Sequence, residues 1–270
     1  MSGVPEWTAA GRAGLLVLLI SGCRSPVERH AQPGTTTVRG ASDDSRPPES
    51  GTPPTDDTGT QDSETPGGPC PREMALTGFV CIDRWEAALE GWSPYEVPDG
   101  GVAYAAEGVM PQGYISGDIA AVACENAGKR LCTQEEWERA CQGPDQTTYP
   151  YGDRYDADAC NDSRDSHPVT DYFGTSTGVW DGEHMNDPGI NQQPDTEDAA
   201  GANPDCVSAE GVYDLHGNLH EWIDDANGTF KGGFYADAVI NGAGCSYTTT
   251  AHTTSYHDYS TGFRCCADPR

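Results

Sequence analysis

Lysine is nearly missing from this chain, which has only Lys129 and Lys231 among its 270 residues. Lysine and arginine together number 15 against 43 aspartates and glutamates, so the formal net charge is -28. A surface of that sign repels polyphosphate, which excludes nucleic acid as a partner. The acidic excess suits an exported protein that meets divalent cations, and the simpler alternative is a well-solvated surface.

The apolar run near the N-terminus, Ala13 to Ile20, is too short to cross a membrane and has the length of a signal-peptide core. We therefore assign residues 1–22 to a signal peptide. The letters ISGC that end at Cys23 resemble a bacterial lipobox and predict lipidation of Cys23; ordinary cleavage with an incidental thiol is the alternative. Arg24 follows, not the aspartate that commonly retains lipoproteins in the inner membrane. Resemblance to Gram-negative lipoproteins thus implies the cell envelope, at the outer membrane.

Large apolar residues are scarce between Ser25 and Gly68, where proline, threonine, serine, glycine and aspartate dominate. Such a segment cannot bury enough surface to offset its chain entropy. We expect residues 23–68 to be a disordered tether and residues 69–270 to form one compact domain of about 200 residues.

The cysteine count supports export. There are 11 cysteines, and without Cys23 an even ten lie between Cys70 and Cys266. In an oxidising compartment this number predicts up to five disulfides. Zinc is the alternative, but no CxxC pair exists, and the adjacent Cys265 and Cys266 suit one tetrahedral site poorly.

Three blocks carry a family resemblance: RLCTQEEWERAC from Arg130, GVYDLHGNLHEW from Gly211, and KGG at Lys231 with GFRC thirty residues later. They resemble the formylglycine-generating enzyme, or sulfatase-modifying factor, family. The resemblance implies an α+β fold: a single loop-rich domain related to C-type lectins and stapled by disulfides.

Local patterns agree with such a domain. The spacing of apolar residues predicts a helix over 118–131 with Asp118 as its cap, and Thr133 to Glu136 is a capping-box pattern that starts a second helix. GFVCIDRWEAAL, Gly78 to Leu89, reads as a short strand that enters a turn or helix.

The resemblance also implies disulfide partners. Family members of the eukaryotic type pair cysteines that match Cys124 with Cys265 and Cys141 with Cys245. With those four assigned, we expect the remaining six to pair as Cys132–Cys266, Cys160–Cys206 and Cys70–Cys81. The sequence alone leaves other connectivities open.

The family's catalytic pair is absent. Family enzymes bind Cu(I) through a CxxxxC pair, because thiolates are soft ligands. The matching window, Phe234 to Gly244, reads FYADAVINGAG and has no cysteine. Copper is therefore not expected as a cofactor. Cys245 remains the one candidate catalytic thiol, although its position matches the structural cysteine.

A calcium site is implied by matching family positions. Asp214 and Glu221 supply carboxylates, and Gly217 and Leu219 supply carbonyls. Asn161 and the Asp162 carbonyl match part of a second site. The alternative for both is a polar turn without metal. If Glu221 is a ligand, alanine in its place should lower thermal stability only when calcium is present.

Histidines give weaker signals. His220-Glu221 imitates half of a zinc-protease motif, but Asp224-Asp225 stands where the second histidine belongs. By resemblance, a cleft is expected that is lined by Tyr235, His220, His252 and His257. These histidines could bind iron, but iron is not expected, because related iron enzymes carry most ligands on a helical domain that this chain lacks.

Two functions of different class follow. The first is a diverged or noncatalytic module, a monomer anchored to the membrane through Cys23, that binds an unknown peptide or small molecule. The second is an enzyme, either a formylglycine-generating oxidase or a nonheme-iron oxidoreductase. Metal analysis and thiol counting distinguish them.

Overall fold

The structure is a computed structural model that describes residues 68–270. The signal peptide, Cys23 and the tether as far as residue 67 lie outside the described residues. Within residues 68–270 no helix has the length and apolarity needed to cross a membrane.

Short strands and short helices alternate with long loops, which confirms the predicted α+β, loop-rich architecture. The strands are β1 Met74–Thr77, β2 Val80–Asp83, β3 Ala87–Leu89, β4 Ala103–Ala105, β5 Arg130–Leu131, β6 His220–Trp222, β7 Phe230–Lys231, β8 Thr248–Thr249, β9 Thr261–Phe263 and β10 Cys265–Ala267. The helices are α1 Gly117–Asn126, α2 Gln134–Gln142, α3 Pro168–Phe173 and α4 Gly182–Met185, with a 3-10 turn at Gly244–Ser246.

Two four-stranded sheets form the frame. One has the order β1-β2-β10-β5, and the other has the order β8-β7-β6-β9, while β3 and β4 form a separate hairpin. Strand β6 runs parallel to β9 with His220 opposite Thr261, and antiparallel to β7 with Glu221 opposite Lys231. This register aligns the HEW, KGG and GFRC blocks in neighbouring strands.

Helix α1 begins and ends differently from the prediction. Its cap is Ser116, whose hydroxyl accepts from the Ile119 amide at 3.3 Å, and Asp118 lies in the first turn instead. The helix stops at Asn126, and Arg130–Leu131 pairs as strand β5. Leu131 is buried by that pairing with Cys265, so a tertiary contact overrides the helical spacing of the sequence.

Helix α2 forms as predicted. The Glu136 carboxylate accepts from the Thr133 amide at 2.8 Å, and the Thr133 hydroxyl accepts from the Glu136 amide at 3.3 Å. These bonds satisfy two exposed donors of the first turn. Trp137 and Cys141 lie on one face and are fully buried. After strand β2, the chain bends at Arg84 and Trp85 and enters strand β3, so the turn and not the helix follows the strand.

All ten cysteines of the described residues form disulfides. The pairs are Cys70–Cys81, Cys124–Cys265, Cys132–Cys266, Cys141–Cys245 and Cys160–Cys206, the same pairs that the sequence analysis gave. The adjacent cysteines of β10 belong to different cores, because successive strand residues point to opposite faces. Cys265 packs with Trp222 and Phe263, and Cys266 packs with Trp137.

Both lysines are structural. Lys129 Nζ lies 2.6 Å from the buried Asp83 carboxylate, and Lys231 Nζ lies 2.7 Å from Glu138. Their side chains are 10% and 0% exposed, so neither ammonium is offered to a partner.

Candidate functional site

The loop from Phe234 to Gly244, where the resemblance leads us to expect a cysteine pair, is held by Asp237. Its carbonyl accepts from the Phe234 amide, and its Oδ1 accepts from the amides of Val239 at 3.0 Å and Ile240 at 3.1 Å. The tip therefore presents two apolar side chains that are 58% and 78% exposed. At Gly233, with φ 78°, a Cβ would overlap Ala238, so the tight entry into the loop requires glycine.

Beneath this loop lies an aromatic layer around His220. Its ring contacts Phe230 and Phe234 at centroid distances of 4.6 and 5.0 Å, and its Nε2 lies 3.3 Å from the Tyr247 hydroxyl. Burial lowers the pKa of His220 to about 3, and the charge of nearby His252 adds to the effect. The side chain is thus a neutral part of the core at physiological pH.

Of the four residues predicted to line a cleft, two are buried and two are partly exposed. Tyr235 is fully buried and donates to Asn191 Oδ1 at 2.8 Å, so it packs in the core, and His220 is only 5% exposed. His252 is half-buried between Phe230 and Tyr256. His257 Nδ1 lies 2.8 Å from Asn186 Oδ1 at the end of α4.

Glu221 takes part in a buried ion pair. Arg264 of the GFRC block donates through Nε and Nη2 to its two carboxylate oxygens, both at 2.6 Å. The indole of Trp137 donates to Oε2 at 2.7 Å. Arg264 also donates to the carbonyls of Asp83 and Tyr213. Both oxygens of Glu221 therefore have strong donors already.

Two further carboxylates lie close to this pair. Burial raises the pKa of Glu86 well above its usual value, and the charges of Asp214 and Glu221 add to the rise. Burial also raises the pKa of Asp214 to about 7. Three buried carboxylates beside the single Arg264 guanidinium hold excess negative charge, which protons or a cation must compensate.

Asn161 and Asp162, the predicted ligands of the second site, lie against the turn of the first. Asn161 O accepts from the Asn218 amide at 2.7 Å, and Asp162 Oδ2 lies 3.1 Å from His216 Nε2. Gly217 has φ 87°, and a Cβ there would overlap the Asn161 carbonyl. The glycine of HGN is thus required by a close backbone approach.

The surroundings of the turn suit calcium only in part. Hard carboxylate oxygens are present at Asp214 and Glu86, but the raised pKa of each favours its protonated form, and Glu221 already accepts three hydrogen bonds from Arg264 and Trp137. Leu219 donates its amide to Glu86 Oε1 at 3.0 Å, and Asn218 Nδ2 donates to the other oxygen. No three acidic, histidine or cysteine side chains among residues 68–270 are grouped for metal binding, so backbone carbonyls would have to supply the remaining ligands.

The candidate thiol is a disulfide. Cys245 is bonded to Cys141 and fully buried. It carries no thiolate, because the sulfur is already oxidised. The described residues thus contain no free cysteine that could bind Cu(I) or attack a substrate.

Glu197, which the sequence did not single out, is a further buried carboxyl group. Its Oε2 accepts from Asn191 Nδ2 at 2.7 Å, and its Oε1 has no hydrogen-bond partner. Burial raises its pKa well above the usual value, although the Asn191 bond opposes the rise. Its pattern in the sequence, TED in a polar loop, gives no sign of burial.

A pH prediction follows from Glu197. Because its folded pKa is raised, its contribution to stability is complete below the unfolded pKa of about 4.3 and is lost as pH rises through the folded value. We expect Glu197→Gln to reduce the fall in unfolding free energy between pH 5 and pH 8, measured by chemical denaturation. Glu90→Gln, at an exposed glutamate, should keep the original pH dependence. Equal slopes for Glu197→Gln and the unmodified chain would contradict the assignment.

Comparison with known proteins gives the chain's relatives. The model of the sulfatase-modifying factor enzyme 1-like domain matches residues 73–269. The formylglycine-generating enzyme of Thermomonospora curvata is 28% identical over 230 residues, which cover 74% of this chain and 69% of that enzyme. PvdO from Pseudomonas aeruginosa has a TM-score of 0.46 at 16% identity, covering 70% of this chain and 80% of its own. CarF has a TM-score of 0.38 at 17% identity, covering 71% and 86%.

Proposed function

Because the chain belongs to the sulfatase-modifying factor enzyme 1-like domain family over residues 73–269, we propose that it is a diverged member that binds a ligand without copper-dependent oxidation. The observation that carries the proposal is the sulfur chemistry. The window from Phe234 to Gly244 has no cysteine, and each of the ten cysteines in residues 68–270 has a disulfide partner. A Cu(I) dithiolate cannot form from such residues.

The loop from Phe234 to Gly244, which we call the rebuilt loop, supports ligand binding at the face that it forms. Val239 and Ile240 are exposed at its tip, and half-buried His252 lies next to Phe230 under it. Exposed apolar side chains on a rigid loop are typical of recognition surfaces. The ligand class on this face is a peptide or a small molecule.

The test is a set of metal, thiol and activity measurements on the mature chain. We expect no reactive thiol under native conditions, no tight Cu(I) binding in a chelator competition, and no aldehyde formed on a cysteine-containing peptide. The Thermomonospora curvata enzyme is the positive control. Stoichiometric copper together with aldehyde formation would instead support the oxidase, and retained iron would support an iron oxidoreductase.

Calcium is proposed as the ion held at the turn from Asp214 to Leu219, with Asn161 and Asp162 beside it. The support is the excess of buried carboxylate charge and the raised pKa of Asp214. We expect calcium at about 100 times its dissociation constant to stabilise the fold by about 2.7 kcal/mol.

The matched test is Asp214→Asn, which keeps the shape of the side chain and its acceptor for the Gly201 amide. In chelator at pH 8 it should be at least as stable as the unmodified chain, because a buried charge is gone, and calcium should not raise its melting temperature. The exposed control Asp158→Asn should respond to calcium like the unmodified chain. An Asp214→Asn variant with an undiminished calcium response would rule out this site.

Location is proposed from the sequence. The domain with five disulfides supports export, and the lipobox that ends at Cys23 supports anchoring at the outer membrane. The mature chain is proposed to be a monomer. The mass of the mature N-terminal peptide, with or without a diacylglyceryl group on cysteine, tests the anchor, and sedimentation tests the monomer.

A further inference from the structure

A groove of about 760 Å³ lies on a different part of the surface from the rebuilt loop. One wall is the turn of the β1–β2 hairpin, Thr77 to Val80, and the other is formed by residues 133–146 at helix α2 and just after it. We call it the hairpin groove. It shares no residue with the loop at 234–244, and its volume is in the range of ligand sites.

Phe79 stands at the rim of the hairpin groove and is 96% exposed, the highest exposure among the large apolar residues of the described part. Gly78, with φ 67°, makes the turn that places it there. A phenylalanine so exposed adds almost nothing to the core, so folding does not explain it. Aromatic side chains that protrude beside a groove are typical anchors for protein partners.

The charge of the hairpin groove is negative. Its lining includes Glu135, Glu136 and Glu138 against the single cation Arg139. Glu136 pairs with Arg130, Glu138 with Lys231, and Arg139 with Glu210. Glu135 is exposed, and no cation of residues 68–270 lies within ion-pair distance of it.

The same arrangement disfavours an anionic ligand. Helix α2 starts at the groove, but Thr133 and Glu136 already cap its first turn, and two glutamates stand where an anion would bind. Polar groups suited to a peptide backbone are also present. Gln142 and Gln146 line the far wall with side-chain amides, whereas the Thr77 hydroxyl is buried out of reach of a ligand.

We propose that the hairpin groove binds an extended segment of a partner protein that carries arginine or lysine, with an apolar side chain of that segment on Phe79. The basic side chain lies against Glu135, and the peptide backbone meets the side-chain amides of Gln142 and Gln146. This site is separate from the loop face on which the proposed function rests.

The test uses the mature chain and a fluorescein-labelled decapeptide with two arginines and two leucines, alongside analogues with arginine changed to glutamate or leucine to serine. Phe79→Ser should weaken binding by about tenfold or more. Glu135→Gln should weaken it less and reduce its salt dependence. Both positions are exposed, so the melting temperature should stay unchanged.

Val122→Ser, at an exposed apolar residue of helix α1 outside both the hairpin groove and the loop at 234–244, is the control and should bind the peptide normally. Ile240→Ser, which alters the loop at 234–244, is made alongside it to distinguish the two faces. The proposal is overturned if the glutamate analogue binds as well as the arginine peptide, or if Phe79→Ser has no effect. Loss of binding in Ile240→Ser alone would also overturn it and would favour the loop face. Self-association that Phe79→Ser abolishes would assign the groove to a second copy and reject a foreign peptide.

Discussion

Replacing Glu221 with alanine is expected to destabilise the domain by about 3–5 kcal/mol, because it leaves the Arg264 guanidinium buried without its counterion. Both side chains are at most 1% exposed, so water cannot solvate the remaining charge. Urea denaturation measures the loss. The loss of stability should appear in chelator as well as in calcium. If Glu221 were only a calcium ligand, the loss would appear only when calcium is present.

The matched control is Glu210→Ala. Glu210 also holds an arginine, Arg139, at 2.6 Å, but the two side chains are 20% and 34% exposed. Solvent screens such a pair, so the expected loss is about 1 kcal/mol or less. Similar losses for Glu221→Ala and Glu210→Ala would show that burial does not control how much the Glu221–Arg264 pair contributes to stability.

Removing the disulfide between Cys141 and Cys245 by a double alanine exchange should cost about 2–5 kcal/mol. The bond joins helix α2 to the segment after the rebuilt loop across 104 residues of sequence. In the chain-entropy account, a long closed loop constrains the unfolded chain more than a short one. Thermal and urea unfolding measure the effect.

The short disulfide Cys70–Cys81, with a separation of 11 residues, provides the comparison. Removing Cys70–Cys81 should lower the unfolding free energy by less than removing Cys141–Cys245.

The single variant Cys141→Ala tests the candidate thiol, because it frees Cys245 while leaving it in the core with Trp137 and Leu215. We expect no oxidase activity to appear in this variant. Aldehyde formation on a cysteine-containing peptide would identify Cys245 as a competent nucleophile.

Ligand assignments at the HGN turn could be predicted only in part. The family resemblance implied Asp214, Gly217, Leu219 and Glu221 as ligands, and these four lie within one eight-residue segment. It did not identify Glu86, whose carboxylate meets Asn218 and Leu219 from more than 130 residues away. Nor did the sequence show that Arg264 forms an ion pair with Glu221. The partner of a buried charge depends on which strands lie side by side.

The sequence by itself determined the features that depend on neighbouring residues or on composition. These are the capping box at Thr133, the missing cysteines between Phe234 and Gly244, and an even cysteine count that suits disulfides. The tertiary structure alone decided which side chains are buried together. Tyr235 became core, Leu131 became a strand residue, and Phe79 was left exposed. The physical reason is that capping and composition act locally, whereas burial and charge pairing arise from contacts between segments far apart in the chain.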